Sequence, residues 1–287
     1  LGNLLYDKKQ YDKAISLWEL AKKGLPDFPT SYRNLSFAYY NKKGNKKVAL
    51  KLINQAFDLN PSDARVLLEK TQLESMIGIP IKDRLAVLEA HKETVVSRDD
   101  LFIEYLTLLN IFGRNEKVLE LIEQNQFHPW EGGEGKVAAQ YTYALIELGR
   151  RNLDSHPIEA ETYLQKAKVY PENLGEGKLP SNNDNIANYF LGRLALKNGN
   201  SKQAKVYLNE ATKGITEPGS ALYYNDEPSD IIFYQGLAHK FLGNIEEANQ
   251  RFSQLIAYGE AHKNEVVKWD FFAVSAPEHS VYENDIQ

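Results

Sequence analysis

The chain contains no cysteine. Disulfides, thiolate metal ligands and a cysteine nucleophile are therefore excluded. The compartment stays open, because a cysteine-free chain is at home in cytosol or periplasm alike. Methionine is nearly absent too: Met76 is the single one among 287 residues, and the chain begins with Leu1. The expectation is a trimmed or mature fragment of a longer protein, in which the lack of a leader says nothing of location. No apolar run approaches the roughly 20 residues needed to span a bilayer, so membrane insertion is not expected. Nor is there an excess of positive charge. A formal net charge of −5 argues against nucleic acid as partner, since phosphate binding needs concentrated lysine and arginine. The pairs Lys42-Lys43 and Lys46-Lys47 read as solvated turns.

Catalytic and cofactor signatures are missing as well. There is no HExxH or GxSxG run, and the six histidines are scattered without metal-ligand spacing. Gly-Glu-Gly-Lys occurs twice, at 133–136 and 175–178, and invites comparison with a phosphate loop. That loop requires a glycine five positions before the Gly-Lys glycine, and Ser or Thr after the lysine. Trp130 and Val137 hold those places in the first copy, Glu172 and Leu179 in the second. No cofactor and no metal are expected.

What is present is repetition. Leu1-Gly2, Leu5, Ala14, Trp18, Ala21 and Pro26 form a spaced set of small and bulky residues. The set returns as Tyr32, Leu35-Ser36, Tyr39, Ala49, Ile53, Ala56 and Pro61. Small residues suit the points where paired helices cross closely, bulky ones fill the space between them, and proline ends the second helix. At these positions the sequence resembles the tetratricopeptide repeat family, whose period is about 34 residues. The expected fold is all-α, a right-handed superhelical solenoid of about seven such helix pairs joined by long loops. Units are expected near 1–26, 29–61, 64–96, 99–125, 137–171, 184–214 and 229–259, with 260–287 a tail or the start of a truncated repeat. Within 64–96 the break falls at Gly78-Ile79-Pro80. His239 falls on a core-facing position and reads as packing.

Three long segments interrupt the helices: QFHPWEGGEGKV at 126–137, a shorter echo PENLGEGKLP within 171–184, and 216–230. Each comes after the second helix of a pair and before the first helix of the next, so all three are expected on one edge. That places His128, Trp130, Glu131, Tyr223, Tyr224 and Asp226 in one neighbourhood, with Glu134 and Lys136 beside them. Loops on a rigid scaffold often carry function. The plainer alternative is that His-Pro-Trp folds over the end of the preceding helix. Glu131 and Glu134 as an acid/base pair would need a buried setting that nothing in the sequence supplies. Such carboxylates are usually solvated or answer a neighbouring helix N-terminus.

The concave face offers a second candidate. Phased on the repeat, it includes Arg33, Phe37, Tyr40, Asn41, Tyr141, Tyr189, Arg193 and Phe233, of the residue types favoured as interface anchors. The equal alternative is that these aromatics only fill the groove. Arg33 and Phe37 stand where tetratricopeptide proteins that hold chaperone tails carry a Lys/Asn clamp, so a carboxylate-tail ligand is not expected.

The motifs FHPWEGGEGKV, YPENLGEGKL, ALYYNDEPSDIIFYQGLA and KWDFFAVSAPE also resemble, as a set, the repeat region of a bacterial domain-of-unknown-function family. In that family a β-sandwich, similar to galactose-mutarotase-like sugar-binding domains, precedes the helical array. The resemblance implies a larger protein with a carbohydrate connection. The expectation is therefore a non-catalytic scaffold that binds a protein partner or its own upstream domain. The alternative is the helical half of a carbohydrate-binding or carbohydrate-processing protein, with Trp130 or Tyr224 stacking on a sugar.

Overall fold

The computed structural model describes residues 1–128, 130, 132–219, 226–265, 269–271 and 280–282. Its regular structure is helical, apart from a ribbon in which β1 (Trp269–Phe271) pairs antiparallel with β2 (Ser280–Tyr282), Trp269 opposite Tyr282. Two compact units are present, one built on Leu1–Leu108 and the other on Leu109–Lys268.

In the first unit, α1 (Gly2–Asp7) pairs with α2 (Tyr11–Gly24), and α3 (Pro29–Lys43) with α4 (Lys46–Leu59). Next comes α5 (Ala64–Ile77), then two short helices, α6 (Ile81–Ala90) and α7 (Lys92–Val96), in place of a continuous second helix. Local chemistry fixes the ends. Asn45 accepts from the Val48 amide at 3.1 Å, and Asp63 accepts from the amides of Arg65 and Val66 at 2.9 and 3.1 Å. Each satisfies donors that a helix start leaves orphaned. At Gly78 the backbone takes a left-handed conformation, φ 92°, that a side chain would resist, and α5 stops there. Tyr6, Ala14, Ile15, Trp18, Leu35, Ala38 and Leu52 form a buried cluster across the first pairs.

Helix α8 (Asp99–Ile111) opens with two aspartates in its first turn, where the helix dipole favours negative charge. In the second unit, α9 (Asn115–Glu123) packs on α10 (Lys136–Asn152). The remaining pairs are α10 with α11 (Pro157–Lys166), α12 (Asn185–Lys197) with α13 (Ser201–Glu210), and α14 (Asp230–Leu242) with α15 (Ile245–His262). The first helices of these pairs also touch in succession, α10 on α12 and α12 on α14. Leu153, Ala160, Leu164, Tyr189, Phe190, Leu191, Leu194, Leu208, Ala211 and Ala238 make their core.

One packing device recurs in both units. A residue with little or no side chain on the first helix lies against a bulky residue on the second: Gly2 on Trp18, Gly149 on Leu164, Gly192 on Leu208 and Gly236 on Phe252. In the α3–α4 pair Ser36 takes the small position, and its buried hydroxyl donates to the Ala49 carbonyl at 2.8 Å. A Cβ on Gly192 would stand 2.7 Å from Leu208 Cγ and 3.4 Å from its amide nitrogen. Replacing Gly192 by Val should therefore cost about 1–3 kcal/mol of stability by overpacking. Gly259, on α15 with nothing within 4 Å of its added Cβ, should gain roughly 0.5–1 kcal/mol on change to Ala, from helix propensity alone. Thermal unfolding of the two variants checks both signs.

Candidate functional site: a cavity between the two Gly-Glu-Gly-Lys loops

Both copies of Gly-Glu-Gly-Lys lie in the second unit, and the two loops pack on one another. The Phe127 amide donates to the Asn173 carbonyl at 2.9 Å. The Asn173 side chain in turn donates to the carbonyls of Ile122 at 2.7 Å and Asn125 at 3.0 Å, covering the end of α9. Phe127 is wholly buried. Gly175 comes so close to this strand of chain that a Cβ there would lie 2.5 Å from the Phe127 carbonyl oxygen. Its φ of 75° is also one that L side chains rarely adopt, so glycine is required twice over.

The second loop also closes the start of α10. Glu176 accepts from the Gly135 amide at 2.7 Å through one oxygen and from the Ala138 amide at 3.1 Å through the other. A carboxylate on the first amides of a helix is the arrangement that the helix dipole favours. The anion place at this helix start is thus taken by a carboxylate of the same chain.

Between the loops lies a cavity of about 410 Å³ lined by His128, Trp130, Gly133, Glu134, Val137 and residues 174–179 of the second loop. The Trp130 ring rests on Gly133, which has no Cβ to collide with it. Its indole nitrogen is buried and has no hydrogen-bond partner among the described residues. Glu134 is exposed. Lys178 donates to the Lys168 carbonyl at 3.0 Å, forms an ion pair with Asp184, and lies 5.8 Å from the centre of the Tyr170 ring. Burial pushes the Tyr170 hydroxyl above its ordinary range.

The third loop reaches the second through polar contacts. Glu227 pairs with the Asn183 side chain and accepts from the Ile215 amide at 2.7 Å. Asn185 and Gln235 each donate to the Lys213 carbonyl, at 2.7 Å in both cases.

Of the loop residues expected in one neighbourhood, His128, Trp130 and Glu134, all of the first loop, line the cavity together with the second loop. Lys136 begins α10 and Asp226 is half-buried, and neither lines it. Glu131, Tyr223 and Tyr224 lie outside the described residues. The second loop contributes Asn173, Glu176 and Lys178, which the sequence left without a role; the repeated Gly-Glu-Gly-Lys was a signal for Glu176 and Lys178, and none marked Asn173. Among the described residues no group of three or more His, Asp or Glu is placed to hold a metal ion.

The groove residues divide between the units. In the first, Arg33 and Phe37 are buried, against the expectation of an open face. Arg33 forms a two-pronged ion pair with the fully buried Glu69 of α5, and Arg65 reaches the same carboxylate at 3.2 Å. Burial pushes the Glu69 carboxyl up, and the guanidinium groups of Arg33 and Arg65 pull it back. Tyr40 and Asn41 are half-buried. In the second unit Tyr141 and Tyr189 are buried while Phe233 and Arg193 are exposed. Tyr189 lies 5.6 Å from Tyr234 and 6.0 Å from Phe241, with the Arg193 guanidinium 5.8 Å from its ring centre. Burial raises the hydroxyls of Tyr141, Tyr189 and Tyr234.

Residues 187–213 match the tetratricopeptide repeat model. The matched segment is α12 with α13, the pair that carries the Gly192–Leu208 contact. Among solved structures, human IFIT1 in a dimer with PPP-AAAA is similar at 16% identity and a TM-score of 0.37, over 86% of this chain and 55% of that one. Pseudomonas aeruginosa PilF is 14% identical with a TM-score of 0.38, over 84% of this chain and 95% of that one. Yeast Tom70 is 17% identical with a TM-score of 0.31, over 92% of this chain and 61% of that one. The chain thus spans little more than half of the IFIT1 chain. No described helix is long and apolar enough to cross a membrane.

Two outcomes test the energetics of these sites. Replacing Arg33 by Leu leaves the buried Glu69 with only the partly exposed Arg65 and should cost about 3 kcal/mol, the low end for a broken buried pair, whereas the double change with Glu69→Leu should recover most of it. A double variant no more stable than the single one, by thermal unfolding, would contradict the pairing. Changing Glu176 to Ala removes the acceptor for two amides at the start of α10. It should cost about 1 kcal/mol and raise hydrogen exchange at Gly135 and Ala138 above that of the α12 start.

Proposed function

We propose that this chain is a non-catalytic scaffold of the tetratricopeptide type that mediates protein–protein or inter-domain contact. The observation that carries the reading is a strip on the touching first helices of the second unit. Tyr143 and Arg150 on α10, Arg193 on α12, and Phe233 and Phe241 on α14 are all exposed. Tyr189 and Tyr234 lie beneath them as a buried or half-buried aromatic layer. Aromatic and arginine side chains presented on rigid helices lose little entropy on binding and dominate interface energetics. The Arg150 guanidinium is held by Glu147 at 2.6 Å, which fixes one anchor before any partner arrives. The partner is a separate protein or an upstream domain of the same polypeptide. A sugar-binding role for the loop edge gains nothing from the matched repeat.

The test places a photo-crosslinking residue at Arg193 or Phe241, and, for contrast, at Ile158 of α11 or Val206 of α13, which are exposed on second helices. In cells producing the protein, the first two positions should capture one and the same partner, or a domain of the same polypeptide, and the second two should not. Equal capture from all four positions, or none from the strip, would overturn the reading.

A further inference from the structure

The cavity between the loops combines features that the scaffold itself does not need. Glu134 is exposed at its wall and makes no hydrogen bond or ion pair among the described residues. Glu176 uses one lone pair of each oxygen on the α10 amides, and an ionised carboxylate offers about four acceptor sites. The lysine of the lining, Lys178, is neutralised by Asp184 and tied to a carbonyl. An incoming anion would therefore meet two carboxylates, no uncommitted lysine, and a helix start already capped. Val137, Leu174 and Leu179 supply an apolar wall, and Trp130 supplies an indole.

Resting on the scaffold reading, we propose that this cavity is a second docking site that takes a lysine or arginine side chain of the polypeptide partner. The aliphatic stem would lie along Val137, Leu174 and Leu179, as long basic side chains do on apolar surface. The cationic head would meet Glu134 and the free acceptor positions of Glu176, beside the indole, whose ring attracts cations. One further observation favours a polypeptide over an isolated cation. The apolar wall of Val137, Leu174 and Leu179 suits the methylene stem of a basic side chain and offers a bare cation nothing. The volume of about 410 Å³ admits one long side chain with its flanking peptide group.

The probe is nuclear magnetic resonance of the full chain, monitoring the indole N–H signal of Trp130, assigned with a Trp130→Phe variant. The titrants are the blocked pentapeptides acetyl-AAKAA-amide, acetyl-AARAA-amide and acetyl-AAEAA-amide, and methyl galactoside. The lysine and arginine peptides should shift the signal saturably in the millimolar range, and the glutamate peptide should not. Glu134→Gln should weaken the binding about threefold, as loss of one partly exposed ion pair does, and 0.5 M salt should weaken it further. A shift indifferent to peptide charge, a shift with the sugar alone, or no shift with any titrant would overturn the proposal. If the crosslinked partner is still captured by an Arg193 probe in a Glu134→Gln, Trp130→Phe background while the peptides fail, the cavity proposal falls and the scaffold reading stands.

Discussion

Between the two helices of a pair the chain leaves almost no room for a side chain, and much of the architecture depends on that. Gly192 against Leu208, Gly149 against Leu164 and Gly236 against Phe252 bring backbones close enough for the bulky partner to be wholly or partly enclosed. Close approach converts a short helix, which is marginal alone in water, into one stabilised by burial of a whole face. In the second unit the first helix of a pair then packs on its own second helix and on the first helix of the next pair, as α12 does with α13 and α14. A helix covered on two sides has little surface left, and among the residues that remain exposed on α10, α12 and α14 are Tyr143, Arg193 and Phe241.

The loops are held by other means. They cannot bury apolar faces at a helical period, so they are fixed by satisfying backbone groups. Asn173 covers the carbonyls at the end of α9, and Glu176 covers the amides at the start of α10. One insertion therefore caps both helix ends that flank the other. The two loops are a single structural element in energetic terms, since removing the second would leave orphaned groups on both sides of the first.

The helix pairs were legible in the sequence because the small-to-bulky pattern is a local, periodic consequence of close crossing. The break at Gly78 was legible for the same reason, being decided by a few neighbouring residues. The groove was less so. Phase alone placed Arg33 and Phe37 on an open face, but phase does not register the next repeat, and Glu69 on α5 comes in to bury both ends of the Arg33–Glu69 pair. The union of the loops was only hinted at by the doubled Gly-Glu-Gly-Lys. It rests on a backbone hydrogen bond from Phe127 to Asn173 and on the close approach of Gly175, neither of which leaves a periodic trace.

The two copies of that motif have the same composition and opposite roles, and the difference lies in the residues immediately C-terminal to each. After the first copy the chain enters α10 directly at Lys136, so its amides become the helix start and need an acceptor. After the second copy Leu179 and Pro180 delay the next helix until Asn185, so its glutamate is free to reach back and serve as that acceptor. Glu134, the equivalent carboxylate of the first copy, has no such helix to answer. It lines the cavity with no ion-pair partner among the described residues, and the two glutamates together put negative charge on the cavity wall where the motif, taken by its letters, suggested a cradle for an anion.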